Sequence, residues 1–109
     1  MIVISKRIFP ERFEGLTLWP VIILKYDNLR NDEVLINHER IHLKQQLELF
    51  ILPFYIIYFI EWVIGIFKYK DAHLAYRNIS FEREAYKNEE NLKYLKTRPL
   101  FSSFKYFLA

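Results

Sequence analysis

The first 26 residues alternate apolar and polar side chains in short runs and are rich in β-branched and aromatic types. This pattern is typical of strands. Residues 2–9 predict a short strand that ends at Pro10, and residues 16–26 form the stronger strand candidate. Because Pro20 cannot donate a ladder hydrogen bond, we expect the second strand to lie at a sheet edge or to carry a bulge.

The rest of the chain predicts three helices. Residues 32–48 begin with Asp32 and Glu33, which are acidic as a helix N-terminus prefers, and contain no Gly or Pro. Residues 49–68 are almost wholly apolar, and Pro53 is expected to kink or divide this part of the chain. Residues 78–96 place apolar side chains on one stripe, and residues 99–109 form an aromatic tail.

At 109 residues the chain has room for one domain, residues 1–109. The fold class that these elements predict is α+β. We expect a small two- to three-stranded sheet packed on three helices, those of residues 32–48, 49–68 and 78–96.

Composition narrows the function classes. The hydrophobic fraction of 52% and the aromatic fraction of 18% exclude disorder and exceed what a small core needs. The net charge of +3 is scattered rather than clustered, so no nucleic-acid partner is predicted, and an anionic membrane surface fits equally well. The chain has no cysteine, so a metal could be held only by His and carboxylate side chains.

The N-terminus shows no charged region followed by a long apolar run, which is the pattern of a secretory signal. We therefore expect a cytoplasmic protein. If it contacts lipid, we expect it to be peripheral to the inner face of the membrane.

The motif that carries chemistry is His-Glu-Arg-Ile-His at residues 38–42. His38 and His42 are one helical turn apart, so both imidazoles leave the same face and can converge on one zinc ion. Glu39 lies about 100° further round the helix than His38 and flanks that face. From there its carboxylate can act as general base toward a water that zinc has made acidic, and can later pass the proton to a leaving amine. A hydrogen-bonded surface pair of histidines is the plain alternative.

A catalytic zinc needs a third protein ligand and an open position. His73 is one candidate, although a lone His between elements is more often a surface or capping residue. The segment Phe81-Glu82-Arg83-Glu84-Ala85 resembles the Glu-x-Glu-Ala variant of the glutamate helix in gluzincin metallopeptidases. This resemblance implies Glu82 as the third ligand and leaves Glu84 as the alternative. Tyr86 stands where that family usually has Asp or Asn, so Glu84 or Tyr86 itself is expected to orient a histidine.

In its short length the chain resembles the minigluzincins, single-domain members of that clan. The resemblance implies a peptide substrate bound along the edge strand, here residues 16–24, and an activity that can be latent when a terminal segment covers the cleft. The aromatic tail could form such a plug, although ordinary core closure is the commoner role. Three residues are candidates for an oxyanion donor, with Tyr86 favoured because it is one turn beyond Glu82: Tyr76, Tyr86 and His73.

The apolar segment that begins at Leu49 and ends at Phe67 contains a single charge, Glu61. As a helix it would reach roughly 29 Å, close to a bilayer core. A simple span would put the two zinc motifs on opposite sides of a membrane, which is incompatible with one shared site. We therefore expect membrane-surface contact, or a buried core helix or homodimer interface, and the sequence leaves these alternatives open.

The function predicted from these residues is a zinc metallopeptidase, with Zn²⁺ on His38, His42 and Glu82, Glu39 as general base and Tyr86 as an added donor. Two rivals stay open. One is a zinc-binding but catalytically silent regulatory module, and the other is a membrane-associated interaction module in which the apolar helix is the functional part.

Overall fold

The computed structural model describes residues 1–10 and 12–107. Glu11, which lies between the two predicted strands, and Leu108 and Ala109 of the predicted tail are outside the described residues. Within them are three strands and five α-helices, in the order β1 Ile2–Ile4, β2 Gly15–Leu18, β3 Val21–Leu24, α1 Glu33–Glu48, α2 Leu52–Tyr69, α3 Ala72–Arg77, α4 Ser80–Asn88 and α5 Tyr94–Thr97. Two short 3₁₀ helices are also present, Asp27–Asn31 and Ser102–Tyr106. The predicted α+β class with a small sheet is confirmed.

The sheet is mixed and has the order β1-β3-β2. The central strand β3 pairs in parallel with β1 and antiparallel with β2. The expectation of one continuous strand over residues 16–26 is wrong, because the chain reverses at Trp19 and Pro20 and forms a hairpin. Since Pro20 lies in the turn, its missing N–H removes no ladder bond. Only β2 therefore presents the edge that was predicted for residues 16–24, and β3 is paired on both sides.

Pro53 divides α1 from α2, one of the two outcomes expected for it, because it lies in the first turn of α2, where its missing N–H is tolerated. The helices otherwise occupy the predicted segments with two differences. His73, which is expected between elements, lies on the short helix α3. The predicted helix of residues 78–96 is two helices, α4 and α5, separated by a turn at residues 89–93.

Two apolar clusters hold these elements together. The first packs β3 against α1, with Ile22, Leu24 and Ile36 at its centre. The second packs α2 against the start of α4 through Phe54 and Phe81, whose ring centroids are 4.4 Å apart. Together they bring α1 and α4 side by side under the hairpin.

The apolar helix α2 is the least covered of the long elements. It is long and apolar enough to cross a membrane by length and composition, with mean hydropathy 1.4, yet only 11% of it is buried. Its one charged side chain before Lys68 faces inward. Glu61 accepts hydrogen bonds from the backbone N–H and the hydroxyl of Ser80, at 2.8 and 2.7 Å, and so satisfies the N-terminus of α4. A charge that looked out of place in an apolar segment therefore anchors the glutamate helix.

Candidate metal centre

Helix α1 presents both histidines on its buried face. The carboxylate of Asp32 accepts from the backbone N–H of Leu35 and caps the helix, and Glu33 lies in its first turn. His38 and His42 are each 5% exposed. Their Nε2 atoms lie 3.2 Å apart and point into the same space.

Helix α4 supplies the third group. The Oε1 atom of Glu82 is 3.0 Å from the Nε2 atom of His42 and 3.3 Å from that of His38. A tetrahedral ion with ligands at about 2.0–2.1 Å has ligand–ligand distances of roughly 3.3–3.4 Å. The three donor atoms therefore have the spacing that a small divalent ion requires. His38, His42 and Glu82, called the triad below, could hold a metal ion.

The outward-facing nitrogens of the two rings are held by acceptors. The Nδ1 atom of His38 lies 2.9 Å from a carboxylate oxygen of Glu89, and that of His42 lies 2.7 Å from Oε1 of Gln45. Both oxygens can only accept, so each ring donates through Nδ1 and keeps the lone pair of Nε2 for a metal. The tautomer that a metal site needs is thus set by hydrogen bonds within the chain.

Glu82 is positioned through its second oxygen. The Tyr58 hydroxyl, on α2, donates to Oε2 at 2.6 Å, which leaves Oε1 for the histidines. Burial and the negative charge of Glu82 both raise the pKa of Tyr58 well above its ordinary value, so the phenol stays a donor. The apolar helix therefore contributes one polar side chain to the site.

Glu82 and His42 stabilise each other's charged forms. Burial alone would lower the pKa of His42, but the charge and hydrogen bond of Glu82 outweigh it and raise the pKa to about 9. For Glu82, burial raises the pKa and the charge of His42 and the histidine hydrogen bonds lower it further, so the net shift is downward. A cation is therefore favoured in this space, whether it is a proton or a metal ion.

Glu84, the alternative ligand, points away from the histidines. Its carboxylate is fully buried and accepts from Arg98, from the Tyr94 hydroxyl at 2.6 Å and from Gln45 at 2.9 Å. Glu84 accepts from the Gln45 amide, and the same amide accepts from Nδ1 of His42, so Glu84 orients His42 through Gln45. The sequence predicts this orienting role for either Glu84 or Tyr86. The structure thus brings Glu82, and not Glu84, to the two histidines.

Glu39 lies beside the triad and below β2. Its Oε1 accepts from the Thr17 hydroxyl at 2.6 Å, and the same hydroxyl lies 3.1 Å from the Glu39 backbone carbonyl. A Cβ at Gly15 would come within 3.0 Å of Oε2, so the glycine allows the strand to approach this closely. Burial raises the pKa of Glu39, although the nearby histidines and Thr17 act against the shift. A carboxylate with a raised pKa is suited to accept and return a proton.

A cleft of about 350 Å³ opens over these side chains. Its floor is formed by the triad and Glu39, and its walls are β2, the segment before it and α2. The walls are mainly apolar, and these residues line it: Ile8, Phe13, Leu16, Leu18, Phe54 and Tyr55. None of the described tail residues, up to Phe107, lines this cleft; Ser102–Tyr106 packs on α4 instead, so the tail forms no plug in the part of the chain described.

Tyr86 and Tyr76 take different positions. The Tyr86 ring packs edge-on against the His38 ring, with centroids 4.5 Å apart, and the Arg77 guanidinium lies 3.7 Å from the centroid of the Tyr86 ring. The Tyr86 hydroxyl is 2.9 Å from that of Tyr76. Tyr76, and not Tyr86, lines the cleft. His73 contacts the rings of Phe13 and Tyr76 and does not join the triad.

Several residues that shape this centre gave no recognisable signal in the sequence. Gln45 lies three residues after His42 and holds its ring, a spacing that could have been noticed on a helix. Gln46 is less expected. Its side-chain amide accepts from the backbone N–H of Trp19 at 2.7 Å and donates to the carbonyl of Thr17 at 2.8 Å, as a neighbouring strand would. Tyr58, Thr17 and Glu89 come from elements whose approach to the motif only the fold determines.

Comparison of the chain with protein-family models, with curated proteins and with solved structures finds no match.

Proposed function

We propose that this protein is a zinc-dependent peptidase of the gluzincin type. The observation that carries the proposal is the position of Glu39, buried beside three convergent metal-ligating atoms and opening on the same cleft. A purely structural metal site would be closed and would need no carboxylate beside it. The donor set of two imidazoles and one carboxylate suits zinc, although other divalent ions accept the same ligands.

In this proposal each residue has one task. Zinc, when bound by the triad, would acidify a water and polarise a substrate carbonyl. Glu39 accepts a proton and returns it to the leaving amine, and Thr17 fixes the orientation of its carboxylate. Tyr76 lines the cleft and is therefore better placed than Tyr86 to donate to a developing oxyanion. Tyr86 packs against His38 and hydrogen-bonds the Tyr76 hydroxyl.

The proposed peptide substrate would pair with the free edge of β2. Residues 14 and 25 are hydrogen-bonded partners, so alternation along the antiparallel pair turns the backbone groups of Gly15 and Thr17 outward. Gln46 already satisfies the outward carbonyl of Thr17. A substrate strand would therefore find its open backbone partners at Gly15 and at the N–H of Thr17, a short stretch directly above Glu39.

The rival proposal of a catalytically silent zinc module is supported by one feature. The triad joins α1 to α4, two helices that are distant in sequence, so a bound ion would also stabilise the fold. The two proposals differ in the need for Glu39, which a structural site does not use.

The test combines metal analysis with two matched variants. Protein purified without chelator is expected to hold about one zinc per chain by elemental analysis. Glu39→Gln should keep that zinc and lose cleavage of a fluorogenic peptide mixture, whereas Glu33→Gln, an exposed glutamate on the same helix, should cleave like the wild type. Wild-type protein that binds zinc and cleaves none of the peptides would favour the silent module. Equal cleavage by wild type and Glu39→Gln would overturn the catalytic role of Glu39.

A further inference from the structure

The solvent-facing side of α2 is an extended apolar surface. It consists of six side chains that are each at least half exposed, and we call it the outer face: Leu52, Ile56, Phe59, Ile60, Ile64 and Phe67. Phe67 is 80% exposed and Leu52 is 66% exposed, so the surface reaches both ends of the helix. Soluble proteins rarely leave so many large apolar side chains contiguous and uncovered.

The charge around this surface suits lipid. The outer face holds no charged side chain, and Glu61, the only charge before Lys68 in this helix, is turned inward to Ser80. Lys68 and Lys70 come next at the end of the helix and are exposed. An uncharged face with cationic side chains at its border matches hydrocarbon next to anionic headgroups.

The width of the outer face favours a bilayer over a second copy of the chain. At about 100° per residue, its six positions spread over an arc of about 140°, wider than the seam by which two helices pair in a coiled coil. A single partner helix would cover a seam along this arc and leave its borders exposed. A lipid surface covers all of it.

The opposite side of α2 determines how the helix can meet lipid. That side is tied to polar groups along its length: Tyr58 to Glu82, Glu61 to Ser80, and the Trp62 indole N–H to the carbonyl of Ala72 at 3.0 Å. A helix crossing the bilayer would carry these groups and the triad into hydrocarbon, at a high desolvation cost.

We propose that α2 lies flat on a lipid bilayer, with its outer face in the region between headgroups and acyl chains and the triad on the aqueous side. Amphipathic helices at such surfaces insert their apolar face by about 5–10 Å. This docking depends neither on a bound metal nor on Glu39, so it stands or falls separately from the peptidase proposal.

Flotation of the full chain in a density gradient tests the docking. Wild-type protein is expected to float with vesicles of phosphatidylcholine mixed with phosphatidylglycerol. Ile60→Glu should lower the vesicle-bound to free ratio by at least about tenfold, the factor that corresponds to one large apolar side chain no longer buried. Leu92→Glu is the matched control, because Leu92 is also 50% exposed but lies outside the outer face, and it should float like the wild type. Far-UV circular dichroism of both variants reports whether each is folded.

Three results would overturn the docking. The first is wild-type protein that stays wholly in the aqueous fraction, and the second is Ile60→Glu that floats as well as wild type. The third is a dimer by light scattering that Ile60→Glu disrupts, without any flotation, which would make a second copy the occupant of the outer face.

Depth measurement tests the flat orientation. Because the chain has no cysteine, a fluorophore can be attached at single positions through Leu52→Cys, Phe59→Cys and Phe67→Cys. A flat helix predicts that a given depth-labelled lipid quenches the label at residue 59 no more than the labels at residues 52 and 67, because position 59 lies at the border of the outer face. A label at residue 59 that is much deeper than the two at the ends would indicate a span and overturn the flat arrangement.

Discussion

Two buried clusters of charged groups join α1 to α4, and they differ in where their positive charge comes from. One is the triad. The other, called the arginine cluster below, consists of Glu48, Glu84 and Arg98, in which the guanidinium binds Glu48 through two nitrogens at 2.8 and 2.9 Å and Glu84 through Nε. The arginine cluster carries its own permanent cation. The triad has an anionic Glu82 and two imidazoles, so its cation must be a proton or a metal ion.

Glu82 and Glu84 illustrate the consequence of this difference in charge. They are two residues apart on one helix and both are buried, yet each faces a different cluster. The arginine cluster is complete when the chain folds, because Tyr94, Gln45 and Arg98 satisfy Glu84. The triad lacks a permanent cation, so it must take up a proton or a metal ion from solution. Complete clusters serve stability, and a cluster that must take up a cation is suited to bind metal.

The largest effect is expected from removing the permanent cation. Arg98→Met leaves Glu84 and Glu48 buried without their partner and should lower the free energy of unfolding by about 3–5 kcal/mol. Urea denaturation of the metal-free protein measures it. Adding Glu84→Gln to Arg98→Met should recover part of the loss. A loss below about 1 kcal/mol would show that the arginine cluster contributes little, as exposed ion pairs do.

The second effect concerns the triad. Glu82→Gln should weaken zinc binding by more than about 100-fold, because losing a ligand costs more than the 10–100-fold typical of an outer partner. Competition with a chromophoric chelator measures the dissociation constant. Glu84→Gln serves as the comparison and should keep the ligand set, so its zinc affinity should fall far less. The reverse ranking of the two variants would show that Glu84 is the ligand.

A smaller loss of zinc affinity is expected when the hydrogen bond that orients Glu82 is removed. Tyr58→Phe removes the donor to Oε2 of Glu82 and should weaken zinc binding by about 10-fold, at the lower end of the range for such partners. Tyr55→Phe provides a control on the same helix, since that hydroxyl bonds to Gln46 rather than to the triad. Equal zinc affinities for the two variants would remove Tyr58 from the site.

The smallest expected effect is the change of stability and of zinc affinity with pH, which the triad should show through His42. The pKa of His42 in the metal-free chain is raised to about 9 by Glu82, above the value of 6.5 expected when unfolded. Its contribution to stability is therefore full below about pH 6.5 and is lost as pH rises through about 9. Zinc binding should strengthen over that range, because zinc must displace the proton. Calorimetry at pH 7 in buffers of different ionisation enthalpy should show about one proton released, and no release would contradict the raised pKa.

Part of the site can be predicted from local sequence. The helix of residues 32–48 and the convergence of His38 and His42 depend only on an N-cap and a turn of 3.6 residues, so the sequence predicts both. Glu82 was assigned through the resemblance of its segment to a glutamate helix rather than through geometry. Its meeting with the histidines depends on how Phe54 packs on Phe81 and how Glu61 holds Ser80, which no local pattern shows.

The other features of the site depend on the tertiary structure. Whether Glu84 or Glu82 faces the histidines was decided by Arg98, which lies beyond the next helix and draws Glu84 to itself. The hairpin at Pro20 limits the free edge to β2, and Gly15 lets that edge reach Glu39. Local patterns determine which residues share a face of one helix, because that depends on backbone periodicity. Which faces then meet depends on packing and on pairing of buried charges between distant segments, so only the folded chain decides it.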